Sequence, residues 1–213
     1  MRSDQEISNE IEQMVHAHYY SEDFELLASL RAYVEPLSPA EKEHVRALAL
    51  RRLMQEGSLV DILLCTVVDV PSAVPVLAGR LDRETITNQV TRTLIQALRR
   101  YHTAEAYEAV ERFVDSDQEM EAIEALADID FRRTIPLLVR AMGKEHQHGT
   151  LLHLFHRVAK ERGVDGLADE LRGSSATRSA RFKSDFERVL RAKKDPYNPF
   201  TDEQILLILS RIG

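Results

Sequence analysis

Tryptophan is absent from this chain of 213 residues, cysteine occurs once, and there are only 8 glycines and 7 prolines. The single Cys65 cannot close an intrachain disulfide, which excludes a disulfide-stapled scaffold and fits a reducing compartment. So few glycines and prolines leave little material for the tight turns of a hairpin-rich β protein. Long apolar runs are missing as well. None approaches the roughly 18 residues that a membrane-spanning helix needs. Met1-Arg2-Ser3-Asp4-Gln5-Glu6 has neither the basic nor the apolar region of a secretory signal, so a cytoplasmic location is expected. Positive charge is also short, with 28 Lys and Arg against 35 Asp and Glu and a formal charge of -7. That excludes a surface that coats nucleic acid or anionic membrane as a whole, while leaving room for a local basic face. There is no Gly-rich phosphate loop, nucleophile elbow or Cys-x-x-Cys, and no nucleophile lies near a base in sequence. The chain is expected to be non-enzymatic and to need no cofactor.

What is present is a 44% apolar, 30% charged composition, enough for one large domain or two small ones. Helical periodicity dominates it. Ser38-Pro39-Ala40-Glu41 reads as a capped helix start. Val45, Leu48, Ala49, Arg52 and Leu53 then follow at i, i+3, i+4, i+7 and i+8, with the Arg52 stem along the edge of the stripe, and Gly57 ends the run. Phe24, Leu27, Leu30, Arg31 and Val34 suggest an earlier helix ending before Pro36. Residues 58–70 are β-branched enough for a strand, but helices on both sides and the lack of a partner strand predict a buried helix holding an inert Cys65.

From residue 71 the chain repeats itself. Ala73-Val74-Pro75-Val76-Leu77 and Thr134-Ile135-Pro136-Leu137-Leu138 lie 61 residues apart, with Ala106-Tyr107-Glu108-Ala109-Val110 between them in the same slot. A second pattern alternates with the first. The segments 93–101, 121–129 and 150–158 superpose with coincident apolar positions at spacings of 28 and 29 residues. Such alternation describes paired helices, A and B, that bury their apolar faces only by stacking. Ile123, Leu126, Leu138 and Phe155 are expected in the core.

The stretch 113–142 resembles the HEAT-like repeats of bacterial proteins, in the form first named for phycobilisome lyases. Phe113-Val114-Asp115-Ser116-Asp117 is similar to the acidic turn between the two helices. Glu121 to Ile129 is similar to the Ala/Leu-rich second helix, and Asp130 to Leu138 to the following turn and first helix with its proline. Glu121 stands where that family often has Arg. The resemblance implies an all-α solenoid of stacked antiparallel helix pairs. The expected organisation is a helical N-terminal segment over 1–70, repeats over 71–194, and a linker with a C-terminal helix over 195–213. HEAT-like hydroxylases carry paired His-Glu dyads, which this chain lacks, so that activity is not implied.

In such a stack, equivalent B-helix positions form columns on the concave face. One column holds Gln96, Glu124 and His153, with Arg188 as a further member. A second holds Arg100, Asp128 and Arg157, and a third Thr93, Glu121 and Thr150. These polar residues on otherwise apolar helices are the candidate surface for another protein. Two other chemistries compete. DNA glycosylases exist on HEAT-like folds, and the basic 172–194 segment, with Arg178, Arg181, Lys183, Arg188 and Arg191, suits phosphates. Those enzymes use aromatic side chains, often Trp, around the damaged base. His146, His148, His153 and His156 suggest a metal cluster, with the last two at i, i+3, and His16 and His18 form a weaker pair. At the tail, Asp195 to Pro199 reads as a linker and Thr201 to Gln204 as a capping box. Ile205-Leu206-Leu207-Ile208-Leu209 should be largely buried, capping the last repeat, with a dimer or partner contact as the alternative.

Overall fold

The computed structural model describes residues 2–17, 23–55, 57–81, 88–193 and 198–212. Among these residues there are twelve α-helices, three short 3₁₀ turns and no strand, so the protein is all-α. None of these helices is long and apolar enough to cross a membrane. The chain divides into two compact units, Met1–Arg112 and Phe113–Gly213.

The first unit holds α1 (Asp4–Ala17), α2 (Asp23–Val34), α3 (Pro39–Gln55), α4 (Leu59–Val68), α5 (Val74–Leu81), α6 (Asn88–Leu98) and α7 (Ala104–Glu111). Consecutive helices pack in pairs, α1 on α2, α3 on α4 and α5 on α6. Alternate helices also touch: α2, α4 and α6 form one row, while α1 meets α3 and α5 meets α7.

The start of α3 follows from its sequence. Ser38 N–H donates to Glu41 Oε2 at 3.1 Å and Glu41 N–H returns to Ser38 Oγ at 3.4 Å, a reciprocal box that satisfies two otherwise orphaned donors. Val45, Leu48, Ala49 and Leu53 are its buried stripe, as expected. The 58–70 segment is a helix, and its apolar composition has the predicted cause: Val60, Ile62, Leu63, Leu64, Cys65 and Val68 are all buried. Asp61 is buried with them. Its carboxylate accepts from Arg52 Nε at 2.8 Å, Ser58 N–H at 2.9 Å and Ser58 Oγ at 2.6 Å, which makes the charge tolerable in an apolar setting. Arg52 therefore does more than cover the edge of a stripe: its guanidinium also reaches Glu12 on α1 at 3.3 Å.

The second unit holds α8 (Glu119–Ile129), α9 (Phe131–Ala141), α10 (His148–Arg172), α11 (Ala180–Leu190) and α12 (Asp202–Ile212). Phe113 to Asp117 forms the expected turn before α8. Asp130 caps α9, its Oδ1 accepting from Arg133 N–H at 3.0 Å, and Pro136 lies on the exposed side of that helix. Gly163, at φ 79° and ψ 160°, breaks α10 into two helical pieces. Ile123, Leu126, Leu138 and Phe155 are fully buried, as expected of core residues. Phe155 meets Phe186 edge to face at 5.0 Å between ring centres, and Phe182 stacks on Phe186 at 5.4 Å. Here consecutive helices pack, α8 on α9, α9 on α10, α10 on α11 and α11 on α12, and α10 also packs broadly on α12. His156 lies against Phe200 and Asp165 pairs with Arg211, so α10 and α12 run parallel.

The tail departs from expectation in one respect. Ile205, Ile208 and Ile212 turn inward, whereas Leu206 and Leu207 are 60% and 40% exposed. A helix has room to bury only the face it presents to its neighbours, and α12 presents one. Asp195 to Tyr197 of the linker lie outside the described residues.

A candidate protein-binding face

On α8, Glu121, Glu124 and Asp128 recur at i, i+3 and i+7 and therefore share one side of the helix. The remaining surface of α8 is committed to the core through Ala122, Ile123, Ala125, Leu126, Ala127 and Ile129. The three acids are half-buried. On α10, Thr150, His153 and Arg157 repeat the same spacing, with Thr150 and Arg157 half-buried and His153 exposed. An ion pair ties the two stripes together: Arg157 Nη2 donates to Asp128 Oδ1, with the two side chains 33% and 28% exposed. Next to it, Lys193 Nζ donates to His153 Nε2 at 2.6 Å, which places the imidazole proton on Nδ1. The structure therefore places five sequence-predicted residues, Glu121, Glu124, Asp128, His153 and Arg157, on two helices that are joined at Asp128 and Arg157.

The predicted members on α6 belong to the first unit. Gln96 is half-buried, its Oε1 accepting from Arg99 Nη1 at 3.1 Å, and Arg100 is exposed just past the helix end. Thr93 corrects the expectation, because it is only 6% exposed. Its hydroxyl donates to Gln89 O at 3.0 Å, one turn back, and so takes no place on an open surface.

The basic segment does not assemble an uninterrupted cationic stripe. Arg181 and Arg188 both pair with Asp185, at 3.4 and 3.3 Å, and Arg191 pairs with Glu187 at 3.0 Å and with Asp202. Arg178 and Lys183 are exposed, and Lys194 lies outside the described residues. The histidines also part company. His148 is buried with Nε2 donating to Met142 O at 2.8 Å, His146 is exposed, His153 meets Lys193, and His156 meets Phe200. Among the described residues no three His, Cys, Asp or Glu side chains gather as a metal site would require. The His16 and His18 side chains lie outside the described residues.

Two features escaped the sequence reading. At the start of α8, Glu119 accepts from Lys144 Nζ at 2.6 and 2.7 Å and from Gln147 Nε2 at 2.8 Å. Burial alone raises the Glu119 carboxyl, but the Lys144 and Gln147 hydrogen bonds and the Lys144 charge outweigh it and hold it below its ordinary value. In the first unit, a cleft of about 440 Å³ opens among Arg31, Val34, Lys42, Arg46, Val68 and Asp69. Lys42 Nζ donates to Glu35 O at 3.0 Å and Arg46 Nε to Val68 O at 2.8 Å, so these cations satisfy carbonyls at helix C-termini. Each partner lies 7 or more residues away in sequence, out of reach of local pattern. Cys65 is buried, and burial followed by the Asp61 charge pushes its thiol up to about 12. A thiol so rarely ionised is no nucleophile.

No family model, no curated protein and no solved structure matches this chain.

Proposed function

We propose that this protein is a HEAT-like helical-repeat protein that binds another protein, without catalysis, through the polar face of α8 and α10. The alternation of neighbour and next-neighbour helix packing in the first unit is the arrangement that stacked helix pairs require, and with the packing of α10 on α12 in the second unit it supports the repeat reading. The observation that carries the function is the pairing of the two stripes by Asp128 and Arg157. That bridge joins the helix that carries Glu121 and Glu124 to the helix that carries His153, and the rest of α8 is packed into the core. A surface of mixed sign on rigid elements suits a protein with its own mixed charges rather than a uniformly charged polymer. The central bridge holds the spacing of the helices before any partner arrives, which lowers the ordering cost of association.

The test is a pair of substitutions that leave the bridge intact. Glu124→Arg and His153→Glu, combined, reverse a charge on the α8 stripe and add a negative one on the α10 stripe. With helicity and melting unchanged, the double variant should bind the partner captured by the wild-type chain at least about tenfold more weakly. Unchanged affinity would contradict the proposal. So would low-salt binding of DNA or RNA that Arg181→Glu and Arg188→Glu abolish, because phosphate would then be the ligand.

A further inference from the structure

The cleft of about 440 Å³ in the first unit is walled by the ends of α2 and α4 and the first turns of α3. Its apolar part is Val34 and Val68, both buried, and the half-buried Val67. The charged part carries both signs: Arg31, Lys42 and Arg46 against Glu35 and Asp69. Among the described residues no ion pair joins any of these cations to either acid. Backbone carbonyls hold two of the cations instead, Glu35 O for Lys42 Nζ and Val68 O for Arg46 Nε, and Arg46 Nη1 turns to Glu43 at 3.1 Å. Among the described residues this leaves two ammonium hydrogens of Lys42, Nη2 of Arg46 and the whole Arg31 guanidinium without an acceptor. Asp69 adds a second observation. It ends α4 in the left-handed region, at φ 53° and ψ 79°, where glycine is the usual residue. It is the one residue besides glycine with positive φ among the described residues. Its carboxylate makes no hydrogen bond or ion pair there. A strained backbone thus keeps at the cleft an acid that the chain itself does not use.

We propose that this cleft is a binding site for a small zwitterion with an apolar body, an α-amino acid or a short peptide. It is separate from the α8 and α10 face and independent of the function proposed for that face. The volume lies within the roughly 300–1,000 Å³ of small-molecule pockets. Arg31 offers the planar fork that suits a carboxylate, with the unspent Lys42 hydrogens beside it. Asp69 and Glu35 offer acceptors for an ammonium group, and the negative dipole ends of α2 and α4 favour a cation in the same place. The three valines take the apolar side chain. Charge selects this class over two others. A phosphate meets Glu35, Asp69 and two helix C-termini, all of which repel it. A plain amine meets Arg31, Lys42 and Arg46. Only a ligand with both signs satisfies both sets of groups, and a site built to pair a charge rejects the analogue that lacks it.

Calorimetric titration of the full chain tests this with L-leucine, L-leucyl-L-leucine, 4-methylpentanoate, 3-methylbutylamine and inorganic phosphate. Binding of leucine, of the dipeptide or of both is expected. Leucine alone identifies a single amino acid as the ligand, and the dipeptide alone identifies a peptide. The two analogues keep the apolar body of leucine with one charge each, and both should bind at least about tenfold more weakly than the zwitterion. Arg31→Ala should weaken the zwitterion by about tenfold or more and leave the amine unaffected. Asp69→Asn should weaken the zwitterion and leave 4-methylpentanoate unaffected, at unchanged melting temperature, because Asn also accepts the left-handed backbone. Asp69→Gly should raise the melting temperature while it weakens binding, a combination that a merely structural role for Asp69 does not produce. Four results overturn the proposal. These are binding of neither zwitterion, either single-charge analogue binding as tightly as the zwitterion, phosphate binding more tightly than both zwitterions, and unchanged affinity in Arg31→Ala and Asp69→Asn.

Discussion

Gly57 sits at φ +59° directly over the guanidinium of Arg80. Arg80 donates from Nη1 to Gly57 O at 2.7 Å and from Nη2 to Leu53 O at 2.8 Å, closing the end of α3. An added Cβ falls within 2.0 Å of three guanidinium atoms, and the left-handed backbone strains any L residue besides. Gly57→Ala should therefore lower stability by about 2 kcal/mol or more in urea denaturation, whereas a chain-terminating glycine in open solvent loses less. Glu119 gives a residue-scale prediction in pH. Its folded-state pKa is lowered, so its stabilising contribution is present above the unfolded value and is lost as pH falls through the folded one. The difference in melting temperature between wild type and Glu119→Gln should be full near neutrality and shrink below about pH 4.5, the ordinary carboxylate value. A difference that is constant with pH would show that the ion pair with Lys144 does not matter. What was legible at this scale was local. The Ser38 and Glu41 box was readable because both partners lie within one turn. The charge partner of Asp61 was not, because Arg52 sits nine residues earlier, on the helix before it.

At the scale of the helix, the repeat spacing identified α8, α9 and the first half of α10 correctly. Apolar periodicity within one helix and recurrence between helices point to the same buried positions there. Leu126, fully buried on α8, should cost about 2–5 kcal/mol when cut to Ala, since neighbours close such a cavity only in part. The break in α10 was not legible, because glycine inside a helical pattern is compatible with a continuous helix. Gly163 has open space around it, so Gly163→Ala tests conformation alone. A loss of about 1–3 kcal/mol is expected, and a gain in stability would mean that the helix runs straight through. On α12 the reading failed for a different reason. An apolar run shows that a helix has something to bury but not which side meets a neighbour, and Leu206 and Leu207 are on the exposed side. The candidate binding residues were legible as polar breaks in apolar helices. Thr93 shows the limit of that signal, since a threonine satisfied by its own helix looks the same in sequence as one that faces a partner.

For the whole molecule, the account rests on two compact helical units, one of which joins the acid-bearing helix α8 to α10, with His153 and Arg157, through the Asp128–Arg157 ion pair. Arg157 belongs to the fold as much as to the face. Arg157→Glu sets a carboxylate beside Asp128 and should cost stability, whereas Glu124→Arg should change it by only about 0.5 kcal/mol. Comparing the two melting temperatures separates the residue that holds the face together from the one free to meet a partner. The most direct measurement of the central claim is site-specific photocrosslinking of the full chain in its native extract. A photoreactive residue placed in turn at Glu124, His153 and, as a control, the exposed Pro136 on α9 reports which surface is covered. The account predicts one protein adduct common to positions 124 and 153 and absent from position 136. Adducts of equal yield at all three positions, or none at 124 and 153, would contradict it.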